Sequence, residues 1–194
     1  MTLLLFVAAG LALGLVRGGR PSRIAQDRTR WLWLPITAFA LKQVAAMLVP
    51  GSHLPVVPVQ VCVCLVQYGL LLAFAWANRR AGGWAWAFGA GTAANFLVIL
   101  FNGGAMPVSA RLLASPGGAA LAQSLAAGEV FAYTLCGPGT RLAFLGDVLA
   151  FMPGGRLAGF ASAGDLALGL GAGWLACRMM GPRPLPFQKA NKSA

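Results

Sequence analysis

Carboxylates are what this chain has least of. Among its 194 residues only Asp27, Glu129, Asp147 and Asp165 are acidic, against fifteen lysines and arginines, giving a formal net charge of +11. Charged residues make up 10% of the chain, where a soluble domain carries about 25%. A single histidine, His53, rules out a histidine metal cluster, and no Ser-His pairing is present. His53 stands in the short segment Pro50–Pro55 and reads as a solvated loop residue. Cys62, Cys64, Cys136 and Cys177 show no metal-site spacing. Cys62 and Cys64 do not share a helix face; Cys136 could pair only with another cysteine of an oxidising compartment. There is no glycine-rich phosphate loop, no haem motif and no internal repeat of the transporter kind. No cofactor is expected.

What the chain has is apolar length. It is 58% hydrophobic, with a mean hydropathy of +0.73. Long apolar runs predict an all-α fold, a polytopic membrane helix bundle. The expected spans are Leu3–Val16, Trp31–Val49, Val56–Ala77, Trp84–Phe101 and Leu157–Met180. A sixth apolar stretch, Leu142–Met152, is too short to cross at about 1.5 Å per residue and is expected to be re-entrant or interfacial. Residues 1–180 form one transmembrane domain on this reading. Residues 181–194, rich in proline and lysine, form a basic disordered tail.

Orientation follows from the cations. With Met1 outside, Arg17, Arg20, Arg23, Arg28, Arg30, Arg79, Arg80, Arg178, Arg183, Lys189 and Lys192 all fall inside, and Lys42, Arg111, Arg141 and Arg156 fall outside. Cytoplasmic loops carry the excess of Lys and Arg, so the expected protein sits in a bacterial inner membrane, N-terminus out and C-terminus in. The first run lacks a positive segment before it, which reads as an uncleaved anchor and not a signal peptide. The same clustering makes anionic membrane lipid, and not nucleic acid, the expected partner of the basic loops. An unidentified membrane protein is the other candidate partner.

The polar residues inside this apolar frame are the candidate site. Asp147 and Asp165 both follow a glycine and both fall near the outer face. Ionisable groups at membrane depth are costly and mark function. Asp147 lies among apolar neighbours, which raise a carboxyl pKa unless it is paired. Asp165 has a second reading: Ser162-Ala163-Gly164-Asp165 has the form of a capping box opening the last helix. Lys42 either snorkels to the interface or pairs with a buried carboxylate. Asn95 requires an interhelical partner or a polar cavity. Asn102-Gly103-Gly104 reads as a helix stop. Arg111, Arg141 and Arg156 are outer-side arginines able to grip phosphate bidentately. Asp147, Asp165, Asn95, Asn102 and Arg141 are expected to converge on one outer polar cavity, with Lys42 nearby. Asp147 and Asp165 are its candidate catalytic pair. Asn95, Asn102, Arg141, Lys42 and Arg111 are its candidate ligand-binding groups, for a lipid headgroup or another anion.

Three strings carry a resemblance. Asn102-Gly-Gly-Ala-Met106-Pro107-Val108-Ser109, Thr140-Arg141-Leu142-Ala-Phe144-Leu145-Gly146-Asp147 and Ser162-Ala-Gly164-Asp165 resemble an uncharacterised bacterial membrane-protein family, a domain of unknown function. That resemblance covers about residues 3 to 180 and implies no activity. A second covers about a third of the chain. Gly159-Phe160-Ala161-Ser162-Ala163-Gly164-Asp165 is similar to the last motif of type II (lipoprotein) signal peptidases, in which an aromatic-Asn-x-Ala-Asp run supplies a catalytic aspartate. Leu145-Gly146-Asp147-Val148-Leu149 precedes it at about the distance of that family's Val-Val-Asp-Phe motif. Gly91 to Val98 resembles the segment carrying the family's other aspartate, but Val98 stands in its place, no Asp-Arg follows, and Ser162 or Ala163 replaces the asparagine. The resemblance implies an intramembrane aspartyl peptidase with Asp147 and Asp165 as acid-base pair.

Overall fold

The apolar runs become helices whose ends are set by residues that cannot continue them. The computed structural model describes residues 2–50 and 52–181; the expected disordered tail lies outside these apart from Gly181. The chain is mostly helical: α1 (Thr2–Val16), α2 (Trp33–Leu48), α3 (Val56–Ala77), α4 (Gly83–Phe101), the short α5 (Ala110–Leu113) and α6 (Ala119–Ala126), and α7 (Ala163–Met179). At about 1.5 Å per residue α3 and α4 run about 33 and 28 Å. These two are long and apolar enough to cross a membrane. α1 and α2 are shorter apolar helices.

α7 is the central strut. It runs parallel to α1 and antiparallel to α4, and glycines set both approaches. A Cβ on Gly10 of α1 would collide with the Gly173 carbonyl, and one on Gly91 of α4 with the Leu168 backbone. Such small residues let helix backbones approach closely. α3 packs on the far side of α4 through Phe74, whose ring meets Phe88 edge-on with centroids 5.4 Å apart. α2 in turn packs on α3. Leu71, Phe74, Trp84 and Val98 lie at the centre of this core.

One end of the helices gathers arginines. Arg20 donates its backbone N–H to the Met180 carbonyl at 2.9 Å. Arg23 reaches the Gly181 carbonyl at 2.7 Å, and Arg178 reaches that of Ala81 at 3.3 Å. The α3–α4 turn is tied to this end by Asn78, the C-cap of α3. Its Oδ1 accepts the Arg30 N–H at 3.0 Å, and its Nδ2 donates to the Arg30 carbonyl at 2.8 Å and to Phe74 at 2.9 Å.

The opposite end is covered by residues 102–162, and here the all-α expectation is corrected. Four three-residue strands form two small pairs. β1 (Met106–Val108) lies parallel to β2 (Tyr133–Leu135), and β3 (Leu149–Phe151) antiparallel to β4 (Gly159–Ala161). Val108, Leu113 and Leu125 make a small core under this cap. The stretch Leu142–Met152 contains no α-helix. It opens with Leu142 in the left-handed region, makes a 3-10 turn over Ala143–Leu145, bridges to Val108 at Asp147 and ends in β3. Glycines and prolines on either side, with Gly146 inside the stretch, suit strand and turn better than helix. The last helix is correspondingly shorter than Leu157–Met180, because Ser162 caps it and residues 159–161 are spent on β4. The α4 stop behaves as its sequence implies: Gly103 and Gly104 both take positive φ, and Gly104 N–H bonds the Ile99 carbonyl at 2.9 Å.

Candidate functional site

Where the cap meets the helices, a cavity of about 250 Å³ lies among α1, α2, α3, α4, α7 and the strands, and its polar lining includes Lys42, Gln67, Asn95, Asp147 and Asp165. Each carboxylate is delivered by its Gly-Asp pair. Asp147 is fixed by its backbone, donating to Pro107 at 2.9 Å and accepting from Ser109 at 3.0 Å. Gly146 permits this docking, since a Cβ there would sit 2.6 Å from the Pro107 carbonyl. Gly164 does the same for Asp165: a Cβ there would collide with the Asn95 amide oxygen.

Asp165 is held on three sides. Its Oδ2 accepts the Ser162 N–H at 3.0 Å while its own N–H donates to Ser162 Oγ at 2.9 Å, a complete capping box. Its Oδ1 accepts Asn95 Nδ2 at 2.7 Å, and Asn95 Oδ1 accepts Ser162 Oγ at 2.9 Å. The helix-cap reading and the cavity reading of Asp165 are therefore both realised in one residue.

The Asp147 carboxyl lies within hydrogen-bonding reach of that of Asp165. It is only 3% exposed, and its Oδ1 has no partner among the described residues. Burial first, then the charge and hydrogen bond of Asp165, push its pKa up to about 8, against a smaller downward pull from Lys42. Carboxyls this close favour one shared proton. The Lys42 ammonium stands 4.9 Å from the centroid of the Tyr133 ring, a cation–π contact. Burial, followed by Asp147 and Asp165, raises the Tyr133 hydroxyl to about 12.

Four of the singled-out residues thus meet in the cavity, namely Asp147, Asp165, Asn95 and Lys42. Asn102 and Arg141 do not, which corrects the expected convergence, and the candidate ligand Arg111 does not line the cavity either. Asn102 repeats the role of Asn78 at the other end of the bundle. Its Oδ1 accepts the Arg141 N–H at 3.0 Å, and its Nδ2 donates to the Arg141 and Val98 carbonyls at 2.8 and 2.7 Å. That amide is fully used in holding backbone. The Arg141 side chain is exposed, as is that of Arg111 on α5, and neither lines the cavity. Sequence reasoning missed Gln67, Tyr68 and Tyr133 in the lining. The chain has only two tyrosines, and both are here, a signal of scarcity like that of the carboxylates. Val98, at the place of the missing aspartate, is fully buried and outside the lining. All four cysteines are free, and no cluster of three or more metal-binding side chains occurs among the described residues.

The class defined so far is a mostly helical protein with two helices of membrane-crossing length and a polar cavity where a strand-built cap meets the helix ends. More particularly, the chain belongs to the family of unknown function DUF5317, whose model matches residues 28–177. No curated protein and no solved structure matches it, and the likeness to type II signal peptidases has no support beyond the motifs that carry it.

Proposed function

We propose that this is a multi-pass protein of the bacterial inner membrane whose outer-side cavity performs acid–base chemistry through Asp147 and Asp165. The observation that carries it is that the buried Asp147 carboxyl and the half-buried Asp165 carboxyl line one cavity within hydrogen-bonding reach of each other. Five spans, α1 to α4 and α7, are supported by the apolar side chains they turn outward, such as Leu4, Ile36, Met47, Val66, Leu97 and Leu170, which a water-facing surface would not carry in such number. The gathering of arginines at one end supports an N-out, C-in orientation. The carboxylates then lie on the extracytoplasmic side.

In this reading Asp147 holds the shared proton near neutral pH, and Asp165, oriented by Asn95 and Ser162, is the acceptor. A water between them gives a proton to Asp165 as its oxygen bonds to a carbonyl carbon, whose oxygen takes a hydrogen bond from Asp147; as the carbonyl re-forms, the C–N or C–O bond breaks and Asp165 passes its proton to the leaving amine or alcohol. That is the chemistry of an intramembrane aspartyl hydrolase. Binding of an anionic headgroup without reaction is less well supported, because Arg111 and Arg141 stand outside the cavity and Lys42 alone is cationic in its lining. The test compares membranes of cells producing the wild type, Asp147→Asn or Asp165→Asn as the sole copy. Uncleaved precursor peptides or lipid esters are expected to accumulate in both variants at undiminished protein level. Identical membrane peptide and lipid profiles exclude hydrolysis.

A further inference from the structure

At the arginine end, on the face of α3 and α4 away from α7, a groove of about 600 Å³ runs between the two helices. Its floor is small, with Ala73, Gly89 and Ala90 among its residues, and Trp76 and Trp86 form its sides. Both tryptophans are about two-thirds exposed, at 66% and 64%. Gly89 faces Ala75 across the helix contact, and its Cβ would lie 3.2 Å from that methyl, so the shallow floor comes from the small residues themselves. The volume is within the range of about 300–1,000 Å³ typical of small-ligand sites.

The groove's charged end is one-sided. Arg79 lines it, with its guanidinium carbon 4.0 Å from the Trp76 ring centroid. Its Nη1 donates to the Trp76 carbonyl at 2.8 Å. An arginine has five N–H donors, so this bond fixes the fork and leaves most of it to bind a further group. Arg80 follows directly, Arg178 bonds the same turn at Ala81, and Arg30 is clamped to it by Asn78. The nearby acid, Asp27, is turned onto Thr29, accepting from both its N–H and its hydroxyl. Glu129, Asp147 and Asp165 belong to the opposite end of the molecule.

We propose that this groove is a binding site for one anionic phospholipid of the cytoplasmic leaflet, with an acyl chain along the α3–α4 floor between Trp76 and Trp86 and the phosphate on Arg79 and Arg80. An apolar channel ending in arginines matches both halves of such a molecule. Amphipathic tryptophan rings settle at headgroup depth, and guanidinium grips phosphate with paired hydrogen bonds. The proposal rests on the membrane embedding of the proposed function but not on its acid–base chemistry.

The test uses the full chain purified in a neutral detergent and titrated with phosphatidylglycerol or phosphatidylcholine, read by native mass spectrometry. Preferential retention of phosphatidylglycerol is expected. Each arginine is expected to contribute about five-fold, so Arg79→Gln with Arg80→Gln reduces the preference roughly twenty-five-fold. Ala90→Phe, at an exposed position on the groove floor, plugs the groove without touching a charge and is expected to abolish retention of both lipids. Equal retention of the two lipids by the wild type overturns the proposal, as does undiminished phosphatidylglycerol binding in Ala90→Phe. A groove occupied by a second copy would show as a dimer lost in Ala90→Phe with no lipid preference, and that also overturns it. Failure of the membrane reading is a separate result: the protein would leave cell membranes in alkaline carbonate without detergent.

Discussion

Asn95 Nδ2 donates to Asp165 Oδ1 at 2.7 Å across 70 residues of sequence, while its Oδ1 accepts from Ser162. One amide from the middle of α4 therefore fixes both members of the capping box that opens α7. Replacing Asn95 with Leu takes the donor from the half-buried Asp165 Oδ1 and leaves the buried Ser162 hydroxyl proton without an acceptor. Each such loss costs about 1–3 kcal/mol, so a clearly lower melting temperature in detergent is expected. Ser162→Ala removes the cap oxygen, a loss of about 1 kcal/mol, and also the donor to the buried Asn95 Oδ1, about 1–3 kcal/mol more. Equal melting temperatures for Asn95→Leu and the wild type contradict this network.

Gly164 makes that network possible, because any Cβ there meets the Asn95 oxygen. Gly164→Ala is expected to displace Asn95 and destabilise by about 1–3 kcal/mol, the range for overpacking. By contrast Gly154, where a Cβ would meet nothing within 4 Å, takes a positive φ of 64°. Gly154→Asn, a residue that tolerates this conformation, is expected to change the melting temperature little. The two variants measured side by side separate crowding from backbone strain.

Asn102 and Asn78 are two copies of one device, a helix C-cap whose amide grips the backbone of a distant arginine. Asn102→Ala frees the loop around Arg141 from the end of α4. Cleavage by trypsin after Arg141 is expected to accelerate, since local opening exposes the bond. An unchanged cleavage rate at Arg141 would show that the cap is held by its strands alone.

The helices were legible because apolar runs bounded by Pro, Gly and Asn leave little choice: α3 was expected at Val56–Ala77 and is found there. The carboxylates were legible from scarcity, and Asp165 from its capping box. The cap was not. Three-residue strands have too short a period to register, so Leu142–Met152 read as a continuous apolar segment. Asn102 was placed in the cavity because an amide in an apolar run needs partners, but that rule does not say whether the partner is a ligand or a backbone. Here the backbone of Arg141 took it. Tyr133 escaped notice since its meeting with Lys42 depends on the β1–β2 pairing.

Asp147 makes stability depend on pH in a defined sense. Its folded pKa of about 8 stands above the ordinary 3.8, so the folded state binds more protons between those values. Its contribution is greatest below the lower value and is lost as pH rises through about 8. The groups facing it are Asp165, Lys42, Tyr68 and Tyr133. Melting temperatures at pH 5, 7 and 9 are expected to fall in the wild type, and to fall much less in Asp147→Asn. A wild type that is most stable at pH 9 refutes the buried, proton-holding carboxyl.

Lys42 tests the same carboxyl from the other side. Its charge pulls the Asp147 pKa down, so Lys42→Met removes that pull while keeping an apolar stem of similar length in the cavity. The pH at which Asp147 loses its proton is expected to move upward, carrying the midpoint of the stability decline with it. Lys42→Arg keeps the charge and is expected to leave the midpoint close to that of the wild type. The cation–π contact with Tyr133 gives a separate handle: Tyr133→Leu loosens the ammonium without removing its charge, and is expected to shift the midpoint less than Lys42→Met. A midpoint that moves downward in Lys42→Met would mean that Lys42 does not act on Asp147 through its charge, and the electrostatic picture of the cavity would fail at that point.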